Sequence, residues 1–438
     1  MSAFNPDSAA SLAGPAWLTQ RRSDAAAQVA ALEWPSADDE VWRYSPIGDY
    51  KLDTFAPTTR SGVGPTDPAW LDGSGPSVVV RLANGMVQSI EQRGTTNSGL
   101  TVARGVETES APTDPTAELT GDLVLALAQG FSADPIVITV APGAVIDGPV
   151  VILHHLDGSA TDSDAVVAVP TLVQLAVGAD AEVSVIEQRT SSAGATLAVP
   201  AAVIEVAPAA RVRYTDVQLL DEAAVQLGYQ YATVDQSATL TLLQAAMGGE
   251  YARMRTDCHL VGRGATGNLA ALYFGSNEQT LDFRTFQEHQ AADTSSDLLY
   301  KGVVDDHSRS VYSGLIRVGP DGRGTNAFQT NRNIKLSPDA WAESVPNLEI
   351  EHNEVRCSHA STVGPIDEDQ QFYLESRGVR PEDAERLVVA GFFEEVIAKA
   401  ERDGLADTLR SLVAARLAQH VEHGERAEAG RGNDGVSS

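Results

Sequence analysis

One short run recurs through the middle of this chain and restricts its fold more than any other feature. Asp180-Ala181-Glu182-Val183, Ala209-Ala210-Arg211-Val212, Ser237-Ala238-Thr239-Leu240 and Gly264-Ala265-Thr266-Gly267 read as one turn opening one strand. The second residues, Ala181, Ala210, Ala238 and Ala265, stand 29, 28 and 27 positions apart. A drifting repeat of small-residue turns and short strands is the pattern of a β-solenoid, in which each rung buries its face on the next. Evenly spaced strands would also suit a β-sandwich, and the repeat period is what favours the solenoid. Around the repeat, from about Ile136 to Ile334, apolar residues alternate with small or polar ones, the strand period.

The flanks read differently. Residues 1–15 are rich in Ser, Ala and Pro and are expected to be disordered. Ala16 to Leu32 has a helical apolar face and strong helix formers, and Pro35 stops it. Gly121 to Phe131 suits another helix. After Gly364 the pattern turns helical again. Asp367 is an N-cap residue with Gln370 three positions on. Pro381 opens a helix that should run to Lys399, with a break at Gly391. Leu405, Leu409, Leu412, Val413 and Leu417 form a stripe ending near Gly424. The organisation expected is an N-terminal helical region over 1–75, a β core over 76–364, a helical domain over 365–424 and a disordered tail over 425–438.

Charge narrows the partners. The 438 residues carry a net charge of −29, and residues 101–250 alone contribute −15. No stretch forms a basic stripe, which argues against nucleic acid and anionic membrane surfaces. The acidic stretch is expected to be a solvated solenoid wall that favours solubility. Its longest uncharged runs, Ala165 to Ala179 and Thr190 to Ile204, are 15 residues each. A spanning helix needs about 20. Two cysteines, Cys258 and Cys357, exclude a disulfide scaffold and a four-cysteine site within one chain. A reducing, cytoplasmic setting fits, and no leader segment is expected.

Cys357-Ser358-His359 holds the most chemistry. Residues i and i+2 of a strand share a face, so Cys357 and His359 can address one site. Thiolate and imidazole suit iron, zinc or a cluster. Two ligands do not complete a tetrahedral site, so Glu351, His352, Glu354 or another chain would have to add more. The plainer reading is an inert cysteine beside a structural histidine. Cys258-His259 and His154-His155 are adjacent pairs whose members face opposite ways on a strand, so neither can chelate one ion. His289 stands alone. No Gly-x-Ser-x-Gly elbow and no P-loop occur, so no ATP site is expected on this chain. Gly319 to Gly324 reads as a turn.

Ordered blocks then extend over the last third. They are Tyr300-Lys301-Gly302-Val303-Val304-Asp305-Asp306, Gln329-Thr330-Asn331-Arg332-Asn333, Leu336-Ser337 and Pro346-Asn347-Leu348-Glu349-Ile350. Cys357-Ser358-His359-Ala360-Ser361-Thr362-Val363-Gly364, Asp367-Glu368-Asp369, Phe372 to Gly378 and Gly391-Phe392-Phe393-Glu394-Glu395 follow. Together with Trp42-Arg43-Tyr44, they resemble the SufB/SufD family of iron–sulfur cluster assembly proteins. The Cys-Ser-His block and the low cysteine count place the resemblance on the SufD side. Ala360-Ser361 stands where the family commonly has Gly-Ala, and Asn353-Glu354 where it has Asp-Asp.

That resemblance implies a mainly β fold: a right-handed parallel β-helix flanked by helical regions. It implies a non-catalytic subunit of a SufBCD scaffold, paired with a SufB paralogue through the β-helix cores and docked to the SufC ATPase by its C-terminal helices. A homodimer of the isolated chain stays open. His359, with Cys357 beside it, is implied as a ligand to a nascent cluster or iron at the SufB interface. Arg380, Pro381, Phe392, Phe393, Glu394 and Glu395 fall in the implied SufC dock. Two rivals are a SufB-like scaffold that carries a cluster itself and a β-solenoid carbohydrate-active enzyme. The latter needs paired carboxylates on an exposed rung face.

Overall fold

The structure is a computed structural model that describes residues 3–433 apart from 94–97, 118 and 162–163. The expected turn is its organising element. Asp180, Ala209, Ser237 and Gly264 all adopt left-handed φ, between 55° and 72°. Gly143, Asp293 and Gly324 repeat that geometry in turns before and after them. Each turn donates a backbone N–H to the rung that follows, as in Asp180 to Pro208 O (3.0 Å), Ala209 to Gln236 O (2.8 Å) and Ser237 to Arg263 O (2.9 Å). The next residue points inward. Ala181, Ala210, Ala238 and Ala265 are buried in one column, which Thr294 and Thr325 continue.

Between these turns, alternate strands join opposite sheets, and each pairs in parallel with the strand two places on. The result is a parallel β-solenoid of two ten-stranded sheets. Its two ends differ. At the N-terminal end, Met86–Gln92 and Leu100–Arg104 pair antiparallel with Val78–Ala83 and Ile136–Val140 and turn the sheets off. At the C-terminal end, Trp341–Ile350 and Arg356–Pro365 each pair on one side only. Unpaired strand edges carry free N–H and C=O groups and invite another strand.

The lumen is packed. Val80, Ile138, Val185, Ile204 and Leu240 fill its first rungs. Toward the open end it turns aromatic, with Tyr273, Phe283, Tyr300 and Tyr312 in a chain of ring contacts. Part of the acidic stretch lies inside, which corrects the expectation of a purely solvated wall. Glu187, Asp216 and Arg189 are each at most 3% exposed. Arg189 Nη1 lies 2.8 Å from Glu187 and the same guanidinium also pairs with Asp216. His154 Nε2 sits 2.9 Å from Glu187. Burial opposes ionisation of Glu187, yet Arg189 and His154 outweigh it and hold its carboxyl at about 2. Burial raises Asp216.

The helices cover the outer faces. Leu123–Phe131 is apolar apart from Gln129 because it lies between a sheet and the N-terminal helix Ala16–Ala31. Asp122 caps it by accepting from Leu125 N at 3.0 Å. The N-terminal run is ordered, not disordered, over its described residues. Pro6–Ala10 is a helix, and Phe4 packs edge-on against Phe131 with ring centroids 5.1 Å apart. On the other sheet, Pro381–Ile397 continues through Gly391 without the expected break. The last helix, Ala406–Asn433, runs past residue 425, where a disordered tail was expected. Residues 434–438 of that expectation lie outside the described residues. No described helix is long and apolar enough to cross a membrane.

Candidate functional site at the open end of the solenoid

Register places the Cys-Ser-His block. Cys357 lies beside Ala327 and His359 beside Gln329 on the preceding rung. Ala327 and Gln329 are buried lumen residues. Cys357 and His359 therefore face the lumen side of the last strand, where no further rung of the described residues covers them. From the other sheet, Leu348 lies in register with Ile316 and Ile350 with Val318. These side chains form an exposed cross-section of a solenoid interior.

The two ligand candidates differ in setting. Cys357 is half-buried and packs with Leu348 and Val355 on Ile316, Val318 and Ala327. Burial pushes its thiol up, so it is protonated in the free chain at neutral pH. His359 is exposed. Among the described residues, no three His, Cys, Asp or Glu side chains converge on a metal position. Glu351, His352 and Glu354 do not complete a site: Glu351 and Glu354 pair with Arg317 and Arg323 (3.0 and 2.8 Å), and His352 Nδ1 accepts from Glu354 N at 3.0 Å.

Cys258, His155, His259 and His289 are held by structural contacts. Cys258 is fully buried and burial lifts its thiol to about 12. His259 Nδ1 meets Glu288 at 2.9 Å. His155 sits between Thr190 and Ser192, and buried His289 between Thr294 and Ser296. Burial lowers His289 to about 4, so it is neutral.

The C-terminal residues divide. Phe393 is fully buried on the outer sheet face, which removes it from any docking surface. Phe392 is half-buried, and its carbonyl accepts from Lys301 Nζ at 2.8 Å. Glu395 pairs with Lys301 at 2.7 Å, Glu394 with Arg410, and Arg380 with Asp383. Pro381 supplies the first turn of its helix. The exposed apolar surface comes from residues the sequence reading did not single out for docking: Phe372, Tyr373 and Leu387. Leu387 lies between two grooves. One, of about 640 Å³, runs between the last two long helices along Ala390, Ile397, Val413 and Leu417. The other, of about 910 Å³, lies against Lys301, Arg332, Tyr373 and Phe392.

These features define a β-solenoid protein, with one open end bearing a lumen-side histidine and a helical face bearing one apolar and one mixed groove. The chain belongs to the SufB/SufD family of iron–sulfur cluster assembly proteins. The family model described as the SufBD core domain of the SUF system for FeS cluster assembly matches residues 159–392. An iron–sulfur cluster assembly SufBD family protein of Mycobacterium leprae is 31% identical over 394 residues, 87% of this chain and 90% of that protein. The iron–sulfur cluster assembly protein SufD of Escherichia coli is 28% identical over 393 residues, 90% of each. A SufBD family protein of Mycobacterium tuberculosis is 39% identical over 197 residues, 43% of this chain and half of its own length.

Proposed function

We propose that this chain is a SufD-like, non-catalytic subunit of a cytoplasmic SufBCD scaffold. It pairs with a SufB paralogue through its open solenoid end and docks the SufC ATPase on its C-terminal helices. The observation that carries this reading is the uncovered lumen cross-section, with His359 on its inner face and, among the described residues, no third ligand beside it. A partner's end rung would supply both the missing strand pairing and the missing ligands. The nascent cluster is cargo held at that junction by His359, with Cys357 the weaker ligand because its thiol is half-buried and raised. The groove between the last two long helices, beside Leu387, offers SufC an apolar face. Arg380 and Pro381 open the helix that carries Leu387, with Glu394 and Glu395 farther along it.

Glu187 and Asp216 are locked in the lumen with Arg189, so this pair offers no exposed acid and base to a glycoside-cleaving reading. The test is co-purification. Tagged chain should retain both a SufB paralogue and SufC, and Leu387→Asp should release SufC alone. Anaerobic reconstitution of the isolated chain should give little visible absorbance. Failure to retain either partner, or a stable cluster on the chain alone, would overturn the proposal.

A further inference from the structure

Gln329 is the lumen residue directly beneath His359. It is 1% exposed, and its Nε2 donates to the Tyr312 hydroxyl at 2.8 Å. That hydroxyl also meets Thr285 Oγ1 at 3.0 Å. Gly314 makes room for this knot, because a Cβ there would collide with the Tyr312 hydroxyl and the Gln329 amide. The second polar atom of the amide, Oε1, is buried and has no partner among the described residues. Exchanging oxygen and nitrogen would leave one amide atom engaged and one free all the same. Buried polar atoms are nearly always paired, so this one marks a missing hydrogen bond.

One suitable group, an imidazole, stands on the next rung. In-register neighbours in a parallel sheet stand about 4.8 Å apart. His359 is the in-register neighbour of Gln329 and shares its face. The same spacing already supports a histidine bond one rung away, since His259 lies in register with Glu288 and bonds it at 2.9 Å. We infer that Gln329 is a positioning residue for His359: its free amide atom ties one ring nitrogen and turns the other outward, across the open end. This rests on the reading of His359 as a ligand donated to the partner interface. Histidine ligands depend on such partners for ring orientation and tautomer.

Two measurements separate the inference from that reading. The first uses the full chain with its nine histidines labelled with nitrogen-15, His359 being assigned by its loss in His359→Ala. Wild type should show a single fixed tautomer for His359. Gln329→Met should show exchange between tautomers, and Gln329→Glu should restore a fixed one. The second is cluster assembly on the co-expressed complex. Gln329→Met should lower cluster content about tenfold. Gln329→Glu should recover most of it, and Gln329→Met with His359→Ala should be no worse than His359→Ala alone. An unchanged tautomer in Gln329→Met refutes the inference, as does full assembly in Gln329→Met when His359→Ala fails. Full assembly in His359→Ala refutes the ligand reading itself. If Gln329→Met does not fold, the inference stands or falls on Gln329→Glu, which must keep the tautomer fixed.

Discussion

Replacing Arg189 with Met should destabilise the solenoid in a way that depends on pH. Arg189 is 2% exposed and holds Glu187, Asp216 and, through Nε, the Gln226 amide at 3.1 Å. Methionine keeps much of the volume but leaves Glu187 as a buried, poorly compensated carboxylate. Breaking a buried pair in this way costs about 3–5 kcal/mol. The upper end is limited by protonation, since neutralising an ordinary carboxyl at pH 7 costs about 3.5 kcal/mol. In the variant, burial lifts the Glu187 carboxyl above its unfolded value. A raised acid contributes stability below the unfolded carboxylate range and loses it as pH rises. In wild type the same carboxyl stays ionised down to about 2. The gap between the proteins should therefore shrink by about 1.4 kcal/mol per pH unit as pH falls from 7 toward 5. Urea unfolding followed by circular dichroism at pH 7, 6 and 5 measures it. A gap under about 1 kcal/mol at pH 7, or one independent of pH, would refute an ionised lumen pair.

Two further outcomes follow from local geometry. Ala209 sits at φ 60° in the recurring turn, where Gly264 occupies the equivalent position. Ala209→Gly relieves left-handed strain of about 1–2 kcal/mol against an unfolded-state entropy loss of about 0.4–1 kcal/mol. It should raise the urea midpoint, and a lower midpoint would contradict the turn assignment. His420 joins the last helix to Asp305 (2.5 Å) and Glu385 (3.0 Å), and these two carboxylates hold its imidazolium up to about 10. Arg416, one turn earlier, bonds Met247 O and Ser276 and faces neither ring nitrogen. A raised histidine stabilises fully below its unfolded value near 6.5 and loses that contribution as pH rises through 10. Protection of the last helix from hydrogen exchange should fall across that window in wild type and stay flat in His420→Ala.

Much of the solenoid was legible because its turn repeats in sequence. The residue that must take left-handed φ is Asp, Ala, Ser or Gly, and an alanine follows it each time. The series fades after Ala265 because Thr294 and Thr325 replace alanine in the same column, with Thr294 Oγ1 bonding Thr325 Oγ1 at 2.9 Å. A small polar residue fills the space as well as alanine, so the geometry persists while the sequence pattern does not. Phe4 was missed for another reason: one apolar residue in a Ser- and Ala-rich run finds its partner, Phe131, far along the chain. Adjacent Phe392 and Phe393 look alike in sequence, and only helix orientation separates the buried one from its half-exposed neighbour. The lumen charges read as surface because Asp216 meets Glu187 and Arg189, which share one strand, only when successive rungs stack. His359 was found through its block, whereas its place at an open end needed the register with Gln329.

The open end, Trp341–Ile350 and Arg356–Pro365, is the proposed meeting surface for the paralogous partner. Hydrogen exchange of these two strands, measured on the chain alone and in the complex, tests it most directly. Their outward amides should exchange quickly in the free chain and become protected on assembly, while the capped N-terminal strands stay unchanged. Equal exchange of both edge strands in the free and assembled chain would contradict it.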